Sequence, residues 1–211
     1  MTVSRSTLTN LVKRAIDLLR PVVDAETDNV LRSRVLAMDE TPIKAGHRGR
    51  AHIEQVLNDQ FAGTLISDGY AAYARYAQQQ EGVTHAQCWV HGRRYFIAAQ
   101  NDHPERATEA LQQIAKLYRN EEDIRTQQPT SEKKRQYRLE HSQPVVRDFF
   151  QWSRDQLKKG GLLPSDPLTK ALNYVLSRKT SLTVFLEDPE VQPDTYHLER
   201  APIFLSKRNG P

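Results

Sequence analysis

One cysteine in 211 residues leaves Cys88 without a partner, so the chain can hold no internal disulfide and no cysteine-rich zinc site. No apolar run approaches the roughly 18 residues that a membrane span needs. The first residues also lack a basic-then-apolar leader pattern, and together these absences point to a cytoplasmic protein with no membrane partner. Neither sign of charge dominates: 30 Lys and Arg stand against 26 Asp and Glu, a formal net charge of +4. A balance this modest permits a nucleic-acid partner without demanding one. The 38% apolar and 27% charged residues are the profile of a folded, rather polar protein, and the length suffices for one good core with a smaller appended unit.

Two short stretches have the same shape. Thr64-Leu-Ile is an apolar, partly β-branched run followed by Asp68 and Gly69, and Val35-Leu-Ala-Met is another, followed by Asp39 and Glu40 and stopped by Pro42. Each reads as a buried strand that delivers an acid at its carboxyl end, where the loops of an open α/β sheet face a crevice. Val83 to Val90 reads as a third strand, and His91, Arg93 and Arg94 follow it near the same sheet edge.

The rest is helical in pattern. Leu8, Leu11, Val12, Ala15, Ile16 and Leu19 share one helical face, with Ser4 or Ser6 as cap and Pro21 as its end or bend, and a shorter piece spans Val22 to Leu31. His52 to Leu57 makes one or two turns, and Tyr70, Tyr73 and Tyr76 recur three apart, a spacing more often used for packing than for base stacking. Stripes at Ala107 to Tyr118, at Val145 to Trp152 and at Leu168 to Leu176 fill the second half, 188 to 193 is a loop, and 194 to 200 forms a short helix bearing Glu199. Lys44 to Arg50 is a glycine-punctuated basic loop, a solvated turn more readily than a phosphate cradle.

Carboxylates converging from separate elements suit divalent cations, which prefer hard oxygen ligands, and a pair of such ions can drive phosphodiester chemistry. Spacing alone is a weak signal, because an acid at a strand end is often only a turn former or helix cap. Cys88 and Trp89 read as core residues and His91 as a hydrogen-bonded structural histidine, while Glu40 faces away from Asp39 by strand alternation.

Met38-Asp-Glu-Thr-Pro42, Ser67-Asp-Gly-Tyr-Ala-Ala-Tyr73, Cys88-Trp-Val-His-Gly-Arg-Arg94 and His197-Leu-Glu-Arg-Ala201 occur in the order found in the insertion-sequence-66 family of transposases, which the chain resembles from about Val3 to Ala201. The resemblance implies an α/β fold: a ribonuclease-H-like core with a large all-α insertion. It implies an acid triad, Asp39, Asp68 and Glu199, that is both catalytic and metal-binding, holding Mg2+ or Mn2+ to cut and join transposon-end DNA. It further implies DNA contact by His91, Arg93, Arg94 and Arg200, and leaves room for self-association. The expected organisation is an N-terminal helical segment (1–33), a core from 34–102 and 188–211, and a helical insertion at 103–187.

The chain departs from that family in three places. Ile43 to His52 is too short for the hairpin that normally follows the first acidic strand, so the sheet is expected to lack its second and third strands. Tyr196 stands where the family has asparagine, and Pro202-Ile-Phe-Leu replaces its Leu-Arg-Pro. These departures describe a shortened transposase or an inactive remnant. The competing class is a non-catalytic nucleic-acid-binding or assembly module that uses basic surfaces at Lys133 to Arg138, Lys158, Lys159, Arg178, Lys179, Lys207 and Arg208.

Overall fold

A computed structural model describes residues 4–38, 53, 56, 57 and 61–194. The expected hairpin gap, the basic loop at 44–50, Asp39, Glu40, Glu199 and Arg200, and the basic pair at 207 and 208 fall outside them. The chain opens with one continuous helix, α1 (Arg5–Leu31), whose Ser4 cap accepts from the Thr7 N–H at 3.2 Å. The expected break at Pro21 does not occur. Proline removes the donor that would ordinarily bond the Asp17 carbonyl. On a helix exposed from Ser4 to Glu26 that carbonyl can turn to water, and the helix survives.

Three strands follow, β1 (Val35–Met38), β2 (Gly63–Ser67) and β3 (Val83–Gln87), all parallel and in that order. Met38 is level with Ser67 and Ser67 with Gln87, so the three strands end together. Gly63 (φ 154°) lets β2 start against β1, since a Cβ there would lie 2.3 Å from the Arg34 carbonyl. The third strand is shorter than its alternation suggested: Cys88 is extended and Trp89 already begins a helix. Burial decides this, because the Trp89 ring packs against Phe149 and Phe150 and its indole N–H donates to the Leu182 carbonyl at 2.9 Å.

Strand alternation divides the sheet between two cores. Leu65, with Leu36, Met38 and Val83, packs against Leu31, Ile53, Leu57 and Phe61 and against Tyr73 and Tyr76 of α2 (Ala71–Gln79). Those two tyrosines are packing residues, buried to 2–3% exposure. On the other face Ile66 and Ala86, flanked by Val35 and Ala37, enter a larger core built with the helical half. That half comprises α3 (Trp89–Ala98), α4 (Pro104–Gln127), α5 (Ser131–Tyr137), α6 (Gln143–Lys158), α7 (Pro167–Ser177) and α8 (Lys179–Glu187).

Between α5 and α6 lies one π-helical turn, Arg138–Ser142, where the Gln143 N–H bonds the Arg138 carbonyl five residues back. Pro144 supplies a reason, since it cannot donate to the carbonyl four residues before it and the ladder must shift there. Arg138 is fully buried. Its guanidinium grips Glu121 of α4 through two bonds of 2.8 and 2.7 Å and donates to the carbonyls of Phe185, Asp188 and Val191. The expected basic surface at 133–138 therefore loses its last member, because a buried guanidinium with every arm engaged presents nothing to DNA. Lys134 beside it is half-buried, and burial with the Arg138 charge lowers its pKa.

Candidate active site at the carboxyl edge of the sheet

Asp68 follows the last residue of β2. Its Oδ1 accepts from the Tyr70 N–H at 2.8 Å, the short-range turn that aspartate favours, and no described residue bonds its other oxygen. The main chain around it is held on several sides. Gln87 Nε2 and Ser67 Oγ donate to the Asp68 carbonyl, and the Cys88 N–H donates to the Ser67 carbonyl at 3.2 Å. Ser67 Oγ also shares a 2.9 Å hydrogen bond with His85 Nε2. Burial, and next the Arg178 charge, push the His85 imidazole below its ordinary pKa, against a smaller opposing pull from Asp68.

Gly69 is needed for contact. A Cβ there would come within 2.8 Å of Tyr174 Oη, so this glycine allows α7 to approach the strand tip. Tyr174 lies between two partners: its ring stacks on Tyr95 at 4.4 Å, and Arg178 sits 4.0 Å over it while donating to the Gly69 carbonyl at 3.3 Å. Burial pushes the Tyr174 hydroxyl up to about 12, keeping the ring neutral. Arg178 is thus a support of the strand tip and not the free basic surface expected of it. Its spacing in the sequence carries no signal of that, because the stack joins residues up to about a hundred positions apart.

The chain returns to this edge after α8. Arg138 holds the Phe185, Asp188 and Val191 carbonyls, Arg34 pairs with Asp188 and Glu190 at 3.1 Å each, and the Trp89 N–H donates to the Pro193 carbonyl at 2.8 Å. Since Trp89 lies two residues beyond β3, Pro193 is docked where the strands end. Arg34 is well exposed, so its two pairs contribute little stability and mainly direction.

His91, Arg93 and Arg94 lie on α3, which starts at the same edge. Both arginines are exposed; His91 is half-buried, and its Nδ1 has no partner among the described residues. No cluster of three metal-ligating side chains occurs among the described residues. The one expected ligand they include, Asp68, has the right chemistry: a half-buried carboxylate with one oxygen committed to its turn and the other bonded to no described residue.

A parallel sheet packed between helical layers, with a carboxylate at a strand tip and a second segment docked beside it, defines a mixed α/β protein with its candidate site at the carboxyl edge. The model of the IS66 family of transposases matches residues 1–51 and 45–209, and the chain belongs to that family. Among curated proteins of Sinorhizobium fredii (strain NBRC 101917 / NGR234), it is similar to uncharacterized protein y4qI, 29% identical over 71% of this chain, and to uncharacterized protein y4jD, 30% identical over 71%. The aligned region covers 29% and 30% of those two proteins, so the chain spans under a third of their length. No solved structure gives a significant match. No described helix is long and apolar enough to cross a membrane.

Proposed function

We propose that this chain is a shortened ribonuclease-H-like core of an IS66 transposase whose acid triad, Asp39, Asp68 and Glu199, retains affinity for magnesium or manganese and for DNA but does not cut or join strands. The observation that carries the reading is the docking of the return segment at the carboxyl edge through the Pro193–Trp89 hydrogen bond, next to the tip that bears Asp68. Asp39 follows Met38 in the sequence as Asp68 follows Ser67, and Met38 and Ser67 are level in the sheet. Val35, Ala37 and Ile66 belong to one core, while Leu36, Met38 and Leu65 belong to the other. Glu199 is six residues beyond Pro193, within an extended reach of about 20 Å. In this reading 34–102 and 188–211 form the core, 1–33 leads into it, and 103–187 is the insertion that shares its hydrophobic interior.

Bound by the three carboxylates, the metal would supply Lewis-acid activation of the attacking oxygen. The chain's own residues do the positioning. Ser67, Gln87 and Arg178 hold the backbone at Asp68, and in this reading His91, Arg93, Arg94 and Arg200 are the residues that meet phosphate. Inactivity follows from β1. Among the described residues it pairs only with β2, and Ile43 to His52 is too short for the two strands that would cover its outer edge. The family match itself falls into two pieces that meet at 45–51, the same stretch. Two-metal chemistry loses rate steeply when a ligand is held loosely, since a 1 Å misplacement costs on the order of a hundredfold.

A second reading, a nucleic-acid module without any metal site, draws on the exposed Arg93 and Arg94. Manganese titration followed by electron paramagnetic resonance separates the two. Binding by the native chain that is lost in Asp68→Asn supports the triad, and binding indifferent to that change removes it. With nicked transposon-end duplex and manganese we expect weak, salt-sensitive DNA binding and no strand product. Product that disappears in Asp39→Asn and Asp68→Asn would overturn the inactive reading.

A further inference from the structure

We propose that α1 is a self-association helix that joins two copies of this chain antiparallel, crossing near Ala15. Every residue from Ser4 to Glu26 is exposed, yet this stretch carries the largest uncovered apolar surface among the described residues. Leu8, Leu11, Val12, Ile16, Leu18, Leu19, Val22 and Val23 are between 39% and 78% exposed. At 100° per residue they and Ala15 fill one sector of about 160°, and Pro21 falls on the opposite, polar face, where it does not obstruct a partner. A soluble monomer rarely leaves such a patch bare. Each of these side chains has roughly 100 Å² to bury. The set approaches the 800 Å² or so per partner that a stable interface requires.

Charge selects the occupant and its direction. The first part of the helix carries Arg5, Lys13, Arg14 and Arg20 against Asp17 alone, and the last part carries Asp24, Glu26 and Asp28 with no basic residue before Arg32. This polarity opposes the helix dipole, for the first turn has no acid and the last turn no base. A second copy running the other way resolves both ends at once. With Ala15 opposite Ala15, Leu8 meets Val22, Leu11 meets Leu19 and Val12 meets Leu18. Arg5 and Glu26, the charged residues at the two ends of the apolar sector, then face each other across the pair twice. A parallel pair would set Arg5 beside Arg5 and Glu26 beside Glu26, and the small Ala15 side chain is where two backbones can approach.

The test uses the whole chain in solution. Sedimentation equilibrium is expected to show a dimer whose dissociation constant rises about fivefold in Arg5→Glu and in Glu26→Arg, and returns toward the native value in the double exchange, the scale of two rim charge pairs. Cysteine placement reads direction, because the native Cys88 is buried. Ala15→Cys should form a disulfide-linked dimer on mild oxidation. Leu8→Cys should not, since its two copies would lie about 21 Å apart. Cross-linking by both variants would show a parallel pair, and a monomer at about 100 μM would show that something other than a second copy covers the stripe; either result overturns the proposal.

Discussion

Two long helices of this chain look alike as sequence and have opposite fates. α1 has 27 residues and α4 has 24, and each carries apolar side chains at helical spacing. In α4, Ala107, Ala110, Ile114 and Leu117 are almost wholly buried under α3, α6 and the π turn, whereas in α1 only Leu31 is buried. Periodicity therefore establishes that a helix has an apolar face and leaves open which element covers it. The difference lies in the neighbours that each helix acquires along the chain. α4 is succeeded by helices that fold back on it and by Arg138, which reaches it through a buried ion pair. α1 leads into β1, and among the described residues it enters the hydrophobic core through Leu31 in its last turn.

The strongest way to break the buried half is Arg138→Ala. It strands Glu121 and three carbonyls, and should lower unfolding free energy by about 3–5 kcal/mol in urea titration. The same change should expose 185–193 to limited proteolysis, because those carbonyls hold the return segment. Ile114→Ala is next, at about 2–5 kcal/mol for a fully buried side chain. Gly69→Ala forces a methyl against the Tyr174 ring and should cost about 1–3 kcal/mol, with a change in near-ultraviolet circular dichroism as the Tyr95–Tyr174 stack shifts.

A shallower effect is expected from pH. His85 has a lowered pKa in the folded chain, so the folded state binds fewer protons than the unfolded state as pH falls below the ordinary imidazole value near 6.5. Stability contributed by neutral His85 is intact above that value and is lost progressively below it. Thermal melts between pH 7 and 5 should show this decline, and His85→Gln should flatten it. Leu11→Ala on α1 should do least, within about 0.5 kcal/mol for dilute chain, since the side chain is already in water. A loss as large as that of Ile114→Ala would mean that α1 is packed after all.

Much of the architecture was legible. The strands at Val35–Met38 and Gly63–Ser67, the acid at the second tip, and the helices of the second half arise from period-2 and period-3.6 patterns. Cys88 and Trp89 are core residues, in keeping with their apolar character. The misreadings share one cause. Pro21 marked a break that solvent exposure makes unnecessary, Val90 extended a strand that ends where Trp89 turns into the core, and Arg138 and Arg178 counted as surface charge because a sequence does not display their partners. At the candidate site, the position of Asp68 just beyond a strand was legible from the apolar run before it, while the stack of Tyr95, Tyr174 and Arg178 that supports its tip had no sequence signal.

By itself the sequence determined which segments are helices or strands and where the acids occur along them, because local periodicity and turn chemistry act over a few residues. It also carried the ordered motifs that mark the family. Tertiary structure alone decided that the segment after α8 is pinned by Arg138 and docked by Pro193 against Trp89. Those bonds link positions from about 50 to 100 residues apart, and no local pattern encodes contacts that exist only once the helical half has packed against the sheet.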